Sequence, residues 1–157
     1  MSAKAKKTSL GRVYTNGKAR RNYVIEESFE AGIVLKGTEV KSIRNGHIQI
    51  NDAFARIERG QVLLYGSHIA EYSFGSMNNH DPYRVRQLLL KKKETIHLER
   101  AIQSGGRTLV PLRLYFKGAL IKVEIGLGMG KKLYDKRESL KKKVELREAE
   151  RSLKQRH

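Results

Sequence analysis

The side chains that could do chemistry are few and scattered. The five histidines, His47, His68, His80, His97 and His157, include no pair four residues apart on a helical pattern and no HExxH, the spacings that let a helix hold a catalytic metal. His80 adjoins Asp81, yet an aspartate directly before Pro82 fits a helix N-cap better than a histidine's catalytic partner. "GSHI" at Gly66 and "FGSM" at Gly75 do not make the G-x-S-x-G elbow of a serine hydrolase. The glycines of "GLGMG", Gly126, Gly128 and Gly130, are followed neither by a Rossmann-type helix nor by the GK[ST] of a phosphate loop. Glu39 and Asp52 could hold magnesium in a nuclease, but no spacing pairs them. With no cysteine there is no thiolate site or disulfide, which suits a reducing cytosol. The expectation is a protein that is not an enzyme and needs no metal or cofactor.

The chemistry that the chain does offer is cationic. Lys and Arg number 33 against 16 Asp and Glu, a net charge of +17. Such a surface attracts polyanions, and nucleic acid is the usual one, because each neutralised phosphate releases condensed counterions. An anionic membrane is the rival. It would call for a basic amphipathic helix with large apolar residues opposite, and the chain has no Trp, no apolar run of bilayer length and no signal-like start, so a cytoplasmic protein is expected. The charge is concentrated at the ends: residues 1–21 hold seven basic and no acidic side chains, and residues 131–157 hold eleven basic and five acidic ones.

Two internal clusters stand out. "NGKARRNY" joins Asn16, Lys18, Arg20 and Arg21 to an aromatic ring and leads into the first long strand, which would hold its cations near the body. "LLLKKKE" sets Leu88, Leu89 and Leu90 before Lys91. On a helix three successive leucines cannot face one core, so either one faces solvent or a partner, or all are buried between two layers. Seven Tyr and four Phe without a clustered aromatic signature favour recognition of RNA by shape over reading of a sequence.

The elements that must position these residues follow from hydrophobic period and turn chemistry. "NYVIEESFEAGIVLKG" reads as two strand segments joined by a bulge or corner at Ala31-Gly32. "TEVKSIRNG" reads as a short helix capped by Thr38 and stopped by Asn45-Gly46. Phe54 to Tyr65 reads as a hairpin turning at Arg59-Gly60. From Asp81 to Gly106 the spacing of Val85, Leu88, Leu89, Leu98 and Ile102 predicts one bent helix, or two, broken near Lys91 to Glu94. Period two returns in "TLVPLRLYF" and "ALIKVEIGLG", with Leu112, Leu114, Phe116, Ile121, Val123 and Ile125 inward, Lys117-Gly118 as the turn, and Pro111 at an edge or bulge. The sum is an α+β, mainly β chain: a closed or partly open antiparallel barrel of at least six strands, with a flexible basic C-terminal tail.

Several motifs taken in order, "NGKARRNY", "FEAGIVLKGTEVKSIRNG", "NHDPYRVRQLLL", "TLVPLRLYF", "KVEIGLGMGKK" and "DKR", resemble the SsrA-binding or small protein B family, the bacterial partner of transfer-messenger RNA. The resemblance runs from about Asn16 to Arg137. It implies an oligonucleotide-binding-like barrel with three helices. It also implies an adaptor that grips the tRNA-like domain of transfer-messenger RNA at its elbow and brings it to ribosomes stalled on messages without a stop codon. On this reading residues 1–11 are a flexible basic N-terminus, 12–130 the barrel, and 131–157 a tail that is disordered when free and helical on the ribosome.

The RNA-gripping set implied by the resemblance is Asn16, Arg20, Arg21, Glu30, Leu88, Leu89 and Leu90, above all Leu89, with Lys18 and Lys91 beside them. Glu30 would accept hydrogen bonds from base or ribose; its alternative is a strand-end salt bridge. The tail set is Gly130, Lys131, Lys132, Tyr134, Asp135, Lys136, Arg137, Lys141, Lys142 and Lys143, reaching the small-subunit decoding region and the empty mRNA channel. Elongation factor Tu would join through the RNA. The sequence departs from the family at Tyr134, where histidine is frequent, and at Gln87 and Lys91, where lysine and histidine bracket the leucines. Two rivals share the charge: a structural ribosomal RNA binder, and an RNA-modifying enzyme on a similar barrel.

Overall fold

A computed structural model describes residues 12–75 and 77–155. The basic N-terminus expected at 1–11 and the last histidine, His157, lie outside the described residues. Thirteen elements follow in order: β1 (Val13–Thr15), α1 (Gly17–Asn22), β2 (Tyr23–Ile33), α2 (Gly37–Arg44), β3 (Ile48–Gln49), β4 (Phe54–Glu58), β5 (Gln61–Tyr65), β6 (His68–Ile69), β7 (Arg86–Leu89), α3 (Lys92–Gln103), β8 (Arg107–Lys117), β9 (Leu120–Gly130) and α4 (Lys131–Gln155).

Six strands close a ring in the order β8-β4-β5-β7-β2-β9, with β9 returning to pair β8 and β1 added outside β8. All pairings are antiparallel. Closure leaves few free strand edges, the reason the alternating segments form a barrel and not an open sheet. Its seams are unequal. β2–β9 and β8–β9 are long ladders, whereas β4 meets β8 at a single pair, Ala55 and Leu109. Inside, Leu64, Leu109, Leu114, Val123 and Ile125 meet Ile43 from α2 and Leu98 from α3, all nearly or fully buried. Each such side chain contributes about 1.5–3 kcal/mol by leaving water. Among the described residues no helix is long and apolar enough to cross a membrane.

The hairpin β4–β5 turns at Arg59-Gly60 as expected, with both residues at positive φ. Pro111 marks a bulge: Pro111 faces Ile125 and Arg113 faces Glu124, so Leu112 is the extra residue. That bulge moves Leu112 out of the barrel core, where alternation had placed it, into a small outer cluster with Ala19 and Val110. β2 runs without a break. Its irregularity falls between Ile25 and Glu27, and at Gly32 the strand pairs β9 and β7 at once. α2 begins two residues earlier than the Thr38 cap predicts: the Glu39 carboxylate accepts from the Lys36 backbone N–H at 2.7 Å, while the Thr38 hydroxyl turns to His80. Four helices are described, one more than expected, because α1 forms inside "NGKARRNY".

The largest correction is at 81–91. No helix starts at Asp81, whose carboxylate instead accepts from the Tyr83 N–H at 2.9 Å and caps a turn. Residues 86–89 are strand β7, and the helix begins at Lys92, its Lys91 N–H bonded to Glu94. Val85, Leu88 and Leu89 fit helical spacing by count, but the charged residue between them is the one that goes inside. Arg86 and Leu88 are buried while Gln87 and Leu89 turn outward, a period of two.

Candidate nucleic-acid interface

Strand alternation, not helix geometry, exposes the central leucine. Leu89 is 53% exposed, Leu88 is 2% exposed in the core, and Leu90 is half-buried against it. Across the ladder Leu89 pairs Gly32, and a Cβ added at Gly32 would lie 3.4 Å from the Leu89 Cβ. The missing side chain leaves Leu89 lying on the strand as one wall of a groove with Ile33, Leu120 and Lys122. Two residues back on the same face of β2 stands Glu30. Residues 59 apart in sequence thus share one surface.

Glu30 is held, not free-swinging. The Tyr115 hydroxyl donates to its Oε2, and Lys117 Nζ lies 3.1 Å from Oε1. The hydrogen bond from Tyr115 first, then that from Lys117, holds the Glu30 carboxyl below its ordinary range. Burial, followed by the hydrogen bond to Glu30, pushes Tyr115 up to about 12. Arg113 stacks its guanidinium 4.7 Å from the Tyr115 ring centre and pairs Glu124 at 2.6 Å. Both readings of Glu30 therefore meet in one geometry, an ion pair whose exposed oxygens keep lone pairs for a donor from outside.

The cations of "NGKARRNY" sit elsewhere, at the Tyr23 end of β2, roughly 30 Å along the strand from Gly32 at 3.3 Å per residue. Asn16 is the hinge of that end. Its Oδ1 accepts from the N–H groups of Lys18 and Ala19, and its Nδ2 donates to the Pro111 carbonyl at 2.8 Å. At 3% exposure it positions α1 and leaves the outer surface to its neighbours. Arg20 and Arg21 are exposed, Arg21 donates to the Gly17 carbonyl, and Lys18 pairs Asp52 at 2.8 Å. Arg21 shares a groove with Gly130, Lys131 and Lys132, so α1 and the tail root meet. Beyond the root, Tyr134 is half-buried in a groove with Glu26, Arg107 and Met129, and Arg137 reaches Gly106. Asp135, Lys136, Lys141, Lys142 and Lys143 are exposed, as is Lys91 at the start of α3.

Gly126 and Gly128 do not belong to the tail. They lie buried within β9, where a Cβ would come within 3.1 Å of Leu112 and Ile25 side chains respectively. Only Gly130 stands at the strand's end.

What fixes β7, and with it Leu89, is an ion cluster built on a fully buried pair. Arg86 and Glu39 side chains are both 0% exposed and meet at 2.6 Å. Arg86 Nη1 also donates to the Ser67 carbonyl and hydroxyl, Nη2 to the Pro82 carbonyl, and Arg84 takes the second Glu39 oxygen. Burial pushes the Glu39 carboxyl up, but the hydrogen bonds from Arg84, the Lys36 N–H and Arg86 outweigh it and leave its pKa below the ordinary value. His80 is buried beside them between the Ile69 carbonyl and the Thr38 hydroxyl, 2.8 Å from each. The carbonyl can only accept, so Nε2 carries the proton and Nδ1 takes the hydroxyl: a satisfied core histidine. Glu39 and Asp52, the two carboxylates weighed as magnesium ligands, are spent on Arg86 and Lys18.

The model of the family described as SmpB protein matches residues 13–155. The chain belongs to the SmpB family. The SsrA-binding protein of Geotalea uraniireducens (strain Rf4) is 54% identical over 145 residues, 92% of this chain and 96% of that one. That of Geobacter sulfurreducens is 53% identical over 143 residues, 91% and 94% of the two chains, and that of Geobacillus thermodenitrificans 51% over 141 residues, 90% and 91%. Among solved structures, a chain described under "tmRNA-SmpB: a journey to the center of the bacterial ribosome" matches with a TM-score of 0.64 at 48% identity, covering 76% of this chain and 84% of that chain.

Sequence reasoning did not single out the residues that surround Glu30: Arg113, Tyr115, Lys117 and Lys122. The signal was present. Alternation in "LRLYFK" and "IKVE" turns them outward, and the Lys117-Gly118 turn sets Tyr115 opposite Lys122. What the sequence does not show is that β2 lies across β9, which brings Glu30 to them from more than 80 residues away.

Proposed function

We propose that this chain is an RNA-binding adaptor of trans-translation, and not an enzyme. It binds the tRNA-like domain of transfer-messenger RNA and delivers it, in the cytoplasm, to stalled ribosomes, with elongation factor Tu joining through the RNA. The observation that carries this reading is the 48% identical match to a tmRNA-SmpB ribosome structure. The surface supports it: an exposed leucine beside a fixed carboxylate and several cations is suited to gripping a folded RNA by shape, through phosphates and ribose.

In this reading the Leu89–Glu30 surface and the Lys18, Arg20 and Arg21 cations hold the RNA. Lys131 to Lys143, with Tyr134 as a ring that can stack on a base, meet the decoding region and mRNA channel. Replacing Leu89 by Asp is expected to weaken transfer-messenger RNA binding at least ten-fold in a filter-binding titration, by setting a charge against phosphate without disturbing the core. Unchanged affinity would refute the placement. Replacing Glu30 by Ala should act in the same direction, since it frees Lys117 and Tyr115 from their fixed positions.

The tail is read as coil in solution and helix in an RNA-lined channel. Beyond its root α4 buries no residue, and its support reduces to pairs such as Glu138 with Lys142 and Glu150 with Lys154, about 0.2–0.5 kcal/mol each. A helix with so little to pack on is marginal in water. Circular dichroism of a peptide spanning 130–157 should show mostly coil in buffer and gain helix on adding ribosomal RNA; a stable helix in buffer would contradict folding on binding.

A further inference from the structure

A cleft of about 300 Å³ opens between α1 and the turn leading into β4, apart from the Leu89–Glu30 surface. The Phe54 ring forms one wall. Its cross-strand partner Tyr65 stacks with it, centroids 5.6 Å apart and planes 10° from parallel, and the Arg56 guanidinium lies over both rings, its Cζ 5.2 and 5.7 Å from their centres. Ala19 and Val110 make an apolar floor, while Asn22, Asn51, Asp52 and Lys18 make a polar rim. The side-chain amides of Asn22 and Asn51 form no hydrogen bond among the described residues. Lys18 and Asp52 bridge the rim at 2.8 Å, but both are exposed, so the bridge opens at little cost. Asn22 and Tyr23 also border the groove of Arg21, Lys131 and Lys132, which makes the two depressions neighbours.

We propose that this cleft receives one unpaired base of the bound RNA, laid against Phe54 with the Asn22 and Asn51 amides on its polar edge, while the adjoining phosphate lies against Arg21 at the border of the neighbouring groove, whose Lys131 and Lys132 stay with the tail. The inference rests on the adaptor reading above and adds to it a second, base-holding site. A flat ring stiffened by a stacked neighbour is the wall that a base needs, and it tolerates any base because every base has a π-face. Each amide offers both a donor and an acceptor, so the rim satisfies a base edge without selecting one. The Asp52 carboxylate disfavours phosphate inside the cleft, whereas the next groove holds three cations and no carboxylate. The two depressions thereby divide a nucleotide by charge.

The test uses the full-length chain and transfer-messenger RNA at one fixed salt concentration. Phe54→Leu keeps the apolar volume and removes the flat ring; with melting temperature unchanged it should weaken binding roughly five-fold or more, the span expected for one stacked base. Asn51→Ala, on the rim, provides the decision if Phe54→Leu lowers the melting temperature, with the same weakening expected. Ultraviolet cross-linking of the wild-type complex should join RNA to the peptide carrying Phe54 or to that carrying Tyr23. Affinity changed less than three-fold in the deciding variant overturns the cleft while the adaptor reading stands. Failure of the wild-type chain to bind transfer-messenger RNA overturns both.

Discussion

Removal of residues 133–157, with Lys131 and Lys132 retained, is expected to abolish tagging of stalled peptides while leaving transfer-messenger RNA affinity within a few-fold. The expectation follows from separation in space. Leu89, Glu30 and Lys122 cluster near one end of β2, and the tail departs from the other end at Gly130. The excised segment makes contacts with the barrel only near its root, where Tyr134 and Arg137 lie over Arg107 and Gly106, so the barrel should keep its fold. It carries nine of the 33 basic side chains, and its loss should flatten the salt dependence of RNA binding without removing the specific grip. The measurement pairs a binding titration with a reconstituted tagging assay. Equal loss of both activities would sink the two-ended reading.

Truncation of Arg86 to Ala should be the most damaging single change to the fold. It leaves the buried Glu39 carboxylate with Arg84 and the Lys36 N–H alone, and breaking one partner of a buried pair costs about 3–5 kcal/mol. For a chain of this size that is on the order of 10 °C in melting temperature. Arg86 also closes the 67–82 region by bonding to the Ser67 and Pro82 carbonyls, so β7 should loosen and RNA affinity should fall with stability. The Glu39→Leu, Arg86→Met pair should cost less than either single change, because no charge is left buried alone. Acid has a related effect. The folded Glu39 pKa lies below the unfolded value, so its contribution is fully present above about pH 4.3 and is lost as pH falls through the folded pKa. A wild-type melting temperature that drops below pH 4.3 more steeply than that of Glu39→Gln would show it, and parallel curves would not.

Much of the barrel was legible because its strands alternate cleanly and its turns carry glycine: the β4–β5 hairpin, the Pro111 bulge and the β8–β9 hairpin all follow from local residues. Leu89 was singled out for the wrong secondary structure and the right reason, three leucines that cannot all be inside. The helix expected at Asp81 fails because the buried guanidinium of Arg86 has no apolar signature; its partner Glu39 comes from another element, 47 residues away. Asn16 looked like an outward contact because its caps and its bond to the Pro111 carbonyl depend on α1 folding over the bulge. The cleft at Phe54 was invisible for the same kind of reason. Its walls come from α1, the 51–54 segment and β8, and no stretch of sequence holds more than a part of it.

β9 passes into α4 with no connecting loop, Gly130 ending one and Lys131 starting the other. A helix of 25 residues is roughly 37 Å long at 1.5 Å per residue. In the helical state proposed for the RNA-lined channel it is a pointer rooted at Gly130, for which a rotation of about 10° swings the tip by roughly 6 Å, more than one helical turn. Aim at the far end cannot come from the barrel. It must be supplied by whatever walls the helix enters, so the precision of this molecule resides in its track and its reach resides in its own chain.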